Sequence, residues 1–251
     1  MMKHWYKNLK VSIIILLFSF LPFVDITKPF SGVMLQKAIG NDKGFSVQSL
    51  SNYDLLHNLV VIPENIENTL SLTVMLNRIN RIDRSVLQLL VNQGVKIRLF
   101  EGSLTDEPLL FHLRGEKPRG WEKDITWDDV PGAGGNWLIS AKIGASMPGS
   151  GHGSINLELH EIGHTVYRLL LTNERFAEKI EFIWKEEVHE MFPEKDYFIQ
   201  YPSEYFSEMF AYYYYSKRSN YEMRNKAPLT YAFFERFQQL NGNEIEPNYF
   251  Y

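Results

Sequence analysis

Residues 150–171 read Ser-Gly-His-Gly-Ser-Ile-Asn-Leu-Glu-Leu-His-Glu-Ile-Gly-His-Thr-Val-Tyr-Arg-Leu-Leu-Leu, and within them His160, Glu161 and His164 form an H-E-x-x-H motif. On an α-helix, residues four apart lie one above the other, so His160 and His164 can offer imidazole nitrogens to a single ion. Glu161 sits about 100° further round, outside that ligand pair but placed to hold a water bound to the ion and act as a base. The helix is predicted by an apolar stripe of Ile155, Leu159, Ile162, Val166 and Leu169, with Ser154 as its candidate cap. Two unrelated histidines on a buried helix are the bland alternative. The glycine-rich approach and the stripe running through the motif favour a metal site.

Around this motif the chain reads as an ordinary globular protein. It has 251 residues, 45% hydrophobic and 22% charged, enough for one full core and one catalytic domain with its appendages. A formal net charge of −4 and the lack of a basic stripe argue against a nucleic-acid partner. There are no cysteines, which removes disulfides, thiolate-ligated zinc and a thiol nucleophile together. At the N-terminus Lys3, Lys7 and Lys10 precede an apolar run from Val11 to Val24, shorter than the ~20 residues of a membrane span. That pattern predicts a secretory signal over 1–24, either cleaved or kept as a signal-anchor, and hence a secreted or membrane-tethered protein.

Residues 25–57 read as a loose lead-in and 58–251 as the catalytic domain. Leu59 to Ile62 is a predicted strand, helices are predicted over 64–81 and 84–92, and Val95 to Phe100 alternates as a second strand. From Thr105 to Gly135 the chain is rich in Gly, Pro and charge and carries Trp121 and Trp127, the pattern of long functional loops. Trp137 to Ile143 is a predicted strand, and as a sheet edge it could pair with an extended peptide across the metal. Helices follow over about 173–191, 203–216 and 227–240.

Two histidines leave a catalytic zinc one protein ligand short. Tyr167 and Leu170 occupy the positions where a metzincin has glycine and histidine, so that subclass is excluded. Glu174 would be carried about 15 Å beyond the metal by a helix that continues to Leu171. Glu204 and Glu208 are the better candidates: they are the only charges between 204 and 215, in an aromatic and apolar helix where a carboxylate is costly without a cation or donors to meet it. Four apart, they share a face. One can ligate while the other accepts a hydrogen bond from a ligating imidazole.

The sequence resembles the secreted bacterial Pro-Pro endopeptidases and, more distantly, the protease domain of anthrax lethal factor. The likeness spans about Leu59 to Leu240 and rests on Asn156 to His164, Thr126 to Gly135, Leu104 to Glu107, and Tyr201 to Glu208. The resemblance implies an α+β zincin-like fold, with a small mixed sheet, an active-site helix and C-terminal helices, and one zinc ion per chain. It implies His160, His164 and Glu204 as ligands, Glu161 as base, Glu208 behind the ligands, and Tyr197 as the phenol that stabilises the oxyanion. Trp121, Arg119 and His152 match positions used near the substrate. Three departures fall where peptide preference is set: Asn136-Trp137 follows Gly134-Gly135 in place of small residues, Arg119 replaces a lysine, and Ser203 replaces a glutamate.

The reading is therefore a secreted zinc metalloendopeptidase acting on Pro-rich segments of extracellular or surface proteins, cutting between two prolines. Two alternatives remain: a lethal-factor-like toxin protease acting on host proteins, and a non-catalytic protein that grips Pro-rich segments.

Overall fold

The computed structural model describes residues 29–38, 50–118 and 125–251. The signal expected over 1–24 and the candidates Arg119 and Trp121 lie outside these residues. The chain enters through a short strand β1 (Val33–Met34), a one-turn helix α1 (Leu35–Ala38) and a helix α2 (Tyr53–Leu59), so regular structure begins ahead of Asn58, inside the stretch read as a lead-in. Strand β2 (Val60–Ile62) leads to helices α3 (Thr69–Ile79) and α4 (Arg84–Asn92) and strand β3 (Lys96–Phe100). Helix α3 starts five residues later than its pattern suggests. The Glu101 carboxylate accepts the amides of Glu67 and Asn68, holding the chain out of the helix, and the Asn68 side chain then caps it by accepting from Ser71 at 3.0 Å.

Strands β4 (Gly132–Ala133) and β5 (Leu138–Lys142) complete a five-stranded sheet in the order β1-β2-β3-β5-β4. The three central strands are parallel, and the two short outer strands are antiparallel to their neighbours. This corrects one expectation. The strand predicted over 137–143 is interior, and the edge is β4, whose two small residues carry no period-2 signal to announce a strand.

The sheet's two faces differ. Ile97, Leu99, Ile139 and Ala141 point into the main core with the helices, whereas Phe100 packs with Leu104 and Val130 under the 101–131 loop. On that second side Arg98 and Glu107 form a buried ion pair at 2.8 Å, and Glu107 also accepts the Ser31 amide at 2.9 Å. One carboxylate thus ties β3, the loop and the segment before β1 together.

The helical half follows: α5 (Leu157–Leu170), α6 (Glu174–Met191), the short α7 (Asp196–Gln200), α8 (Pro202–Tyr215), α9 (Lys217–Lys226) and α10 (Pro228–Glu235). Helix α9 escapes an apolar-stripe search because only Ser219 and Met223 are buried along it; it is started by a Ser216–Ser219 capping box. The last helix is shorter than its pattern and passes into a 3₁₀ turn over Arg236–Gln239. Helices α5 and α8 lie backbone to backbone. A Cβ on Gly163 would stand 2.8 Å from Ser207 Cα, so only glycine permits this approach. Behind α8, Glu187 of α6 accepts the Leu229 and Thr230 amides and the Thr230 hydroxyl, which in turn accepts from the Tyr205 phenol at 2.8 Å.

Candidate metal centre

Helix α5 is capped by Asn156, whose side chain accepts the Leu159 amide at 3.1 Å; Ser154, the expected cap, instead bonds His152. From this start the helix carries His160, Glu161 and His164 onto one wall of a cleft of about 770 Å³. The close crossing at Gly163 brings Glu204 and Glu208, on the first two turns of α8, against the two imidazoles.

Three ligand-type atoms then converge. His160 Nε2 lies 3.1 Å from His164 Nε2 and 3.3 Å from Glu204 Oε2, and the third side of the triangle, His164 Nε2 to Glu204 Oε2, is 3.4 Å. Donors bound tetrahedrally at the 2.0–2.1 Å typical of zinc sit about 3.3–3.4 Å apart, so the triangle fits such an ion. The ring hydrogen bonding agrees. His160 Nδ1–H donates to Glu208 Oε2 at 3.0 Å, which leaves Nε2 free to face the centre of the triangle. Glu208 is itself pinned, because its other oxygen accepts the Ile155 amide at 2.8 Å. Among the described residues, His160, His164 and Glu204 are the cluster able to hold a metal ion. Glu174, by contrast, opens α6 and is exposed.

The electrostatics are those of a cation-seeking pocket. Burial opposes charge on His160, but hydrogen bonds to Glu204 and Glu208 outweigh it and the imidazole is pushed up to about 10. Burial likewise opposes ionisation of Glu204, and the two imidazoles overcome it, holding the carboxyl well below its usual range. Glu161 goes the other way. Burial raises its pKa, and the adjacent histidines offset that only in part. A carboxylate raised in this manner is a better proton acceptor than an exposed one.

Tyr197 stands on α7, half exposed at the cleft mouth, and its phenol is raised above the ordinary value by burial and by the nearby Glu204 carboxylate. It is held there because Tyr201 and Pro202 turn the chain directly from α7 into α8, which carries Glu204. Strand β4 also lines the cleft, packed beside α5. A Cβ on Gly134, just past the strand, would lie 2.2 Å from the Glu161 carbonyl oxygen, so the chain leaving β4 rests against the backbone of α5. His152 also lines the cleft. Its Nε2–H donates to Ala145 O at 2.7 Å and its Nδ1 accepts from Ser154 at 2.8 Å, which fixes the ring and presents its face.

Two sequence candidates stand elsewhere. Asn136 is exposed and Trp137 packs on Tyr251, with ring centroids 6.3 Å apart; neither lines the cleft, because the chain has already turned from β4 towards β5. Trp127, flagged only as a loop tryptophan, does line it. The turn bearing Trp127 is built by a reciprocal Thr126–Asp129 box and by Asp128, which accepts the Gly115 amide at 2.6 Å and the Thr105 hydroxyl at 2.5 Å. Those polar spacings were the available signal. No helix among the described residues is long and apolar enough to cross a membrane.

Residues 46–237 match the family described as "Anthrax toxin lethal factor, N- and C-terminal domain". A Pro-Pro endopeptidase of Paenibacillus alvei is 38% identical over 183 residues, covering 72% of this chain and 84% of the relative. One from Clostridioides difficile strain 630 is 37% identical over 185 residues, covering 73% and 83%. The solved structure of the Pro-Pro endopeptidase PPEP-2 from Paenibacillus alvei superposes with a TM-score of 0.68, covering 72% of this chain and 98% of that one. With its α+β zincin-like architecture and this extent of identity, the chain belongs to the Pro-Pro endopeptidases, within the anthrax lethal factor family.

Proposed function

We propose that the protein is a zinc metalloendopeptidase that hydrolyses Pro-rich segments between two prolines. The observation that carries the reading is the donor triangle of His160, His164 and Glu204, with Glu161 beside it in an open cleft. His160 and His164 would hold zinc through Nε2 and Glu204 through Oε2, with Glu208 fixing the His160 ring. Bound there, zinc supplies a water of lowered pKa and polarisation of the scissile carbonyl.

The chain's own residues do the rest. Glu161 takes the water's proton on its carboxylate and returns it to the leaving nitrogen. That nitrogen belongs to a proline, so it has no hydrogen of its own before cleavage and depends on this delivery. Tyr197, held protonated, donates its phenolic hydrogen to the developing oxyanion. The outer side of β4, unpaired among the described residues, offers backbone groups to an extended peptide. Substrate prolines favour the extended conformation the cleft requires. The rings of Trp127 and His152 are suited to packing against pyrrolidine faces.

Extracellular action is part of the proposal and is supported by the basic and apolar residues of 1–24. N-terminal sequencing of the protein recovered from culture medium tests that point. The activity is tested on peptides with a central Pro-Pro and varied flanks, using the wild type, Glu161→Ala and a chelated control. Cleavage between the prolines, lost in both controls, is the expected result. A zinc-loaded chain that binds these peptides and leaves them whole would instead establish the non-catalytic binder.

A further inference from the structure

The C-terminal residues 245–251 fall outside the 46–237 stretch that matches the family, yet they are tied closely to the body. Ile245 is buried, Gln93 donates to Glu246 O at 2.8 Å and accepts the Tyr249 amide at 3.2 Å, and Thr172 accepts the Glu246 amide at 3.1 Å. This anchoring delivers three consecutive aromatic residues to one place. The Arg168 guanidinium lies 5.7 Å from the ring centroids of both Tyr249 and Phe250, and the Tyr251 ring lies against Trp137.

Arg168 and Trp137 flank the turn between β4 and β5. Arg168 is one helical turn beyond His164, and its Nη1 donates to Gly135 O at 2.5 Å. Thr165 completes the attachment by accepting the Gly135 amide at 3.1 Å and donating to Asn136 O at 3.0 Å. The turn is thus stapled to α5 by side chains, and one of those side chains is itself clamped by the tail. Exposed arginines lose entropy when fixed in one geometry; attraction of the cation to the Tyr249 and Phe250 rings offsets that cost and keeps the guanidinium aimed.

We propose that Tyr249-Phe250-Tyr251 is a brace that positions the edge strand β4, through Arg168 on Gly135 and through Trp137, and thereby tunes peptide binding. The idea rests on the peptidase reading for its effect on substrate, but its structural half stands alone. It also accounts for Trp137: a large ring there serves the tail rather than the substrate.

The test compares the wild type with a chain ending at Asn248 and with Arg168→Lys, which keeps the charge and loses the fork. Hydrogen exchange of peptides covering 132–142 is read alongside zinc content and the kinetics of a Pro-Pro peptide. Both variants are expected to bind zinc stoichiometrically, to exchange about tenfold faster over 132–142, with the shortened chain also faster beside Gln93 and Gly94 where Tyr249 and Tyr251 bond, and to raise KM about five- to tenfold with kcat within about twofold. Unchanged exchange at 132–142 overturns the brace, and so does acceleration spread evenly over the core, which would make the tail a general stabiliser. Exchange is measurable whether or not a peptide is cut. Failure of the wild type to cleave therefore counts against the peptidase reading alone.

Discussion

Glu208 Oε2 lies 3.0 Å from His160 Nδ1, on the opposite side of that imidazole from Glu204, whose Oε2 is 3.3 Å from Nε2. One ring therefore meets two carboxylates from a single helix, one at each nitrogen. The arrangement divides their labour by position alone: the residue on the first turn of α8 faces the ion site, and its neighbour one turn on orients the ring.

Glu208→Gln tests that division. The amide keeps the size and can still accept one hydrogen bond, but it lacks the charge that favours the Nδ1–H tautomer. Zinc affinity is expected to fall about 10- to 100-fold, with the fold retained. Competition against a chromophoric chelator measures it, and an unaltered affinity would reduce Glu208 to a cap on Ile155.

Tyr197→Phe removes one hydroxyl from the cleft mouth and nothing from the metal triangle. A loss of about 10²-fold in kcat is expected, with zinc content and KM little altered. Steady-state kinetics on a Pro-Pro peptide separate this from a packing role, in which KM would rise and kcat hold.

Gly163→Ala would place a methyl 2.8 Å from the Ser207 backbone. Neither partner is a flexible side chain, so α5 and α8 must separate. The expected cost is about 1–3 kcal/mol, seen as a drop in Tm of several degrees, together with weaker zinc binding because the histidines and Glu204 sit on opposite helices. Thermal unfolding with and without zinc checks both parts.

Glu107→Ala leaves Arg98 buried without its ion pair and the Ser31 amide without its acceptor. A destabilisation of about 3–5 kcal/mol is expected, most of it recovered in the Arg98→Met, Glu107→Ala double variant, since the penalty comes from the orphaned charge. Denaturant titration of the three chains distinguishes this from loss of packing, which the double variant would not restore.

Features set by neighbours along the chain were largely legible in the residues, though not all: Asn156 rather than Ser154 caps α5. The four-residue spacing of His160 and His164 and the stripe of Leu159, Ile162, Val166 and Leu169 place side chains on known faces of a helix, β2 is legible as a short aliphatic run, and β3 as an alternating one. The cation-seeking character of α8 was legible too, because two carboxylates in an apolar segment demand partners. The same rules fail wherever the local signal is weak or the decisive partner is distant. Gly132-Ala133 has no pattern of its own, so only the tertiary structure made it the sheet's edge and moved Trp137 and Asn136 away from the cleft. Residue spacing leaves Glu204 and Glu208 equivalent; the α5–α8 crossing at Gly163 decides which of them looks into the triangle. The pairing of Arg98 with Glu107 and of Arg168 with the C-terminal rings is likewise set by packing between segments remote in sequence, where geometry in space replaces periodicity along the chain.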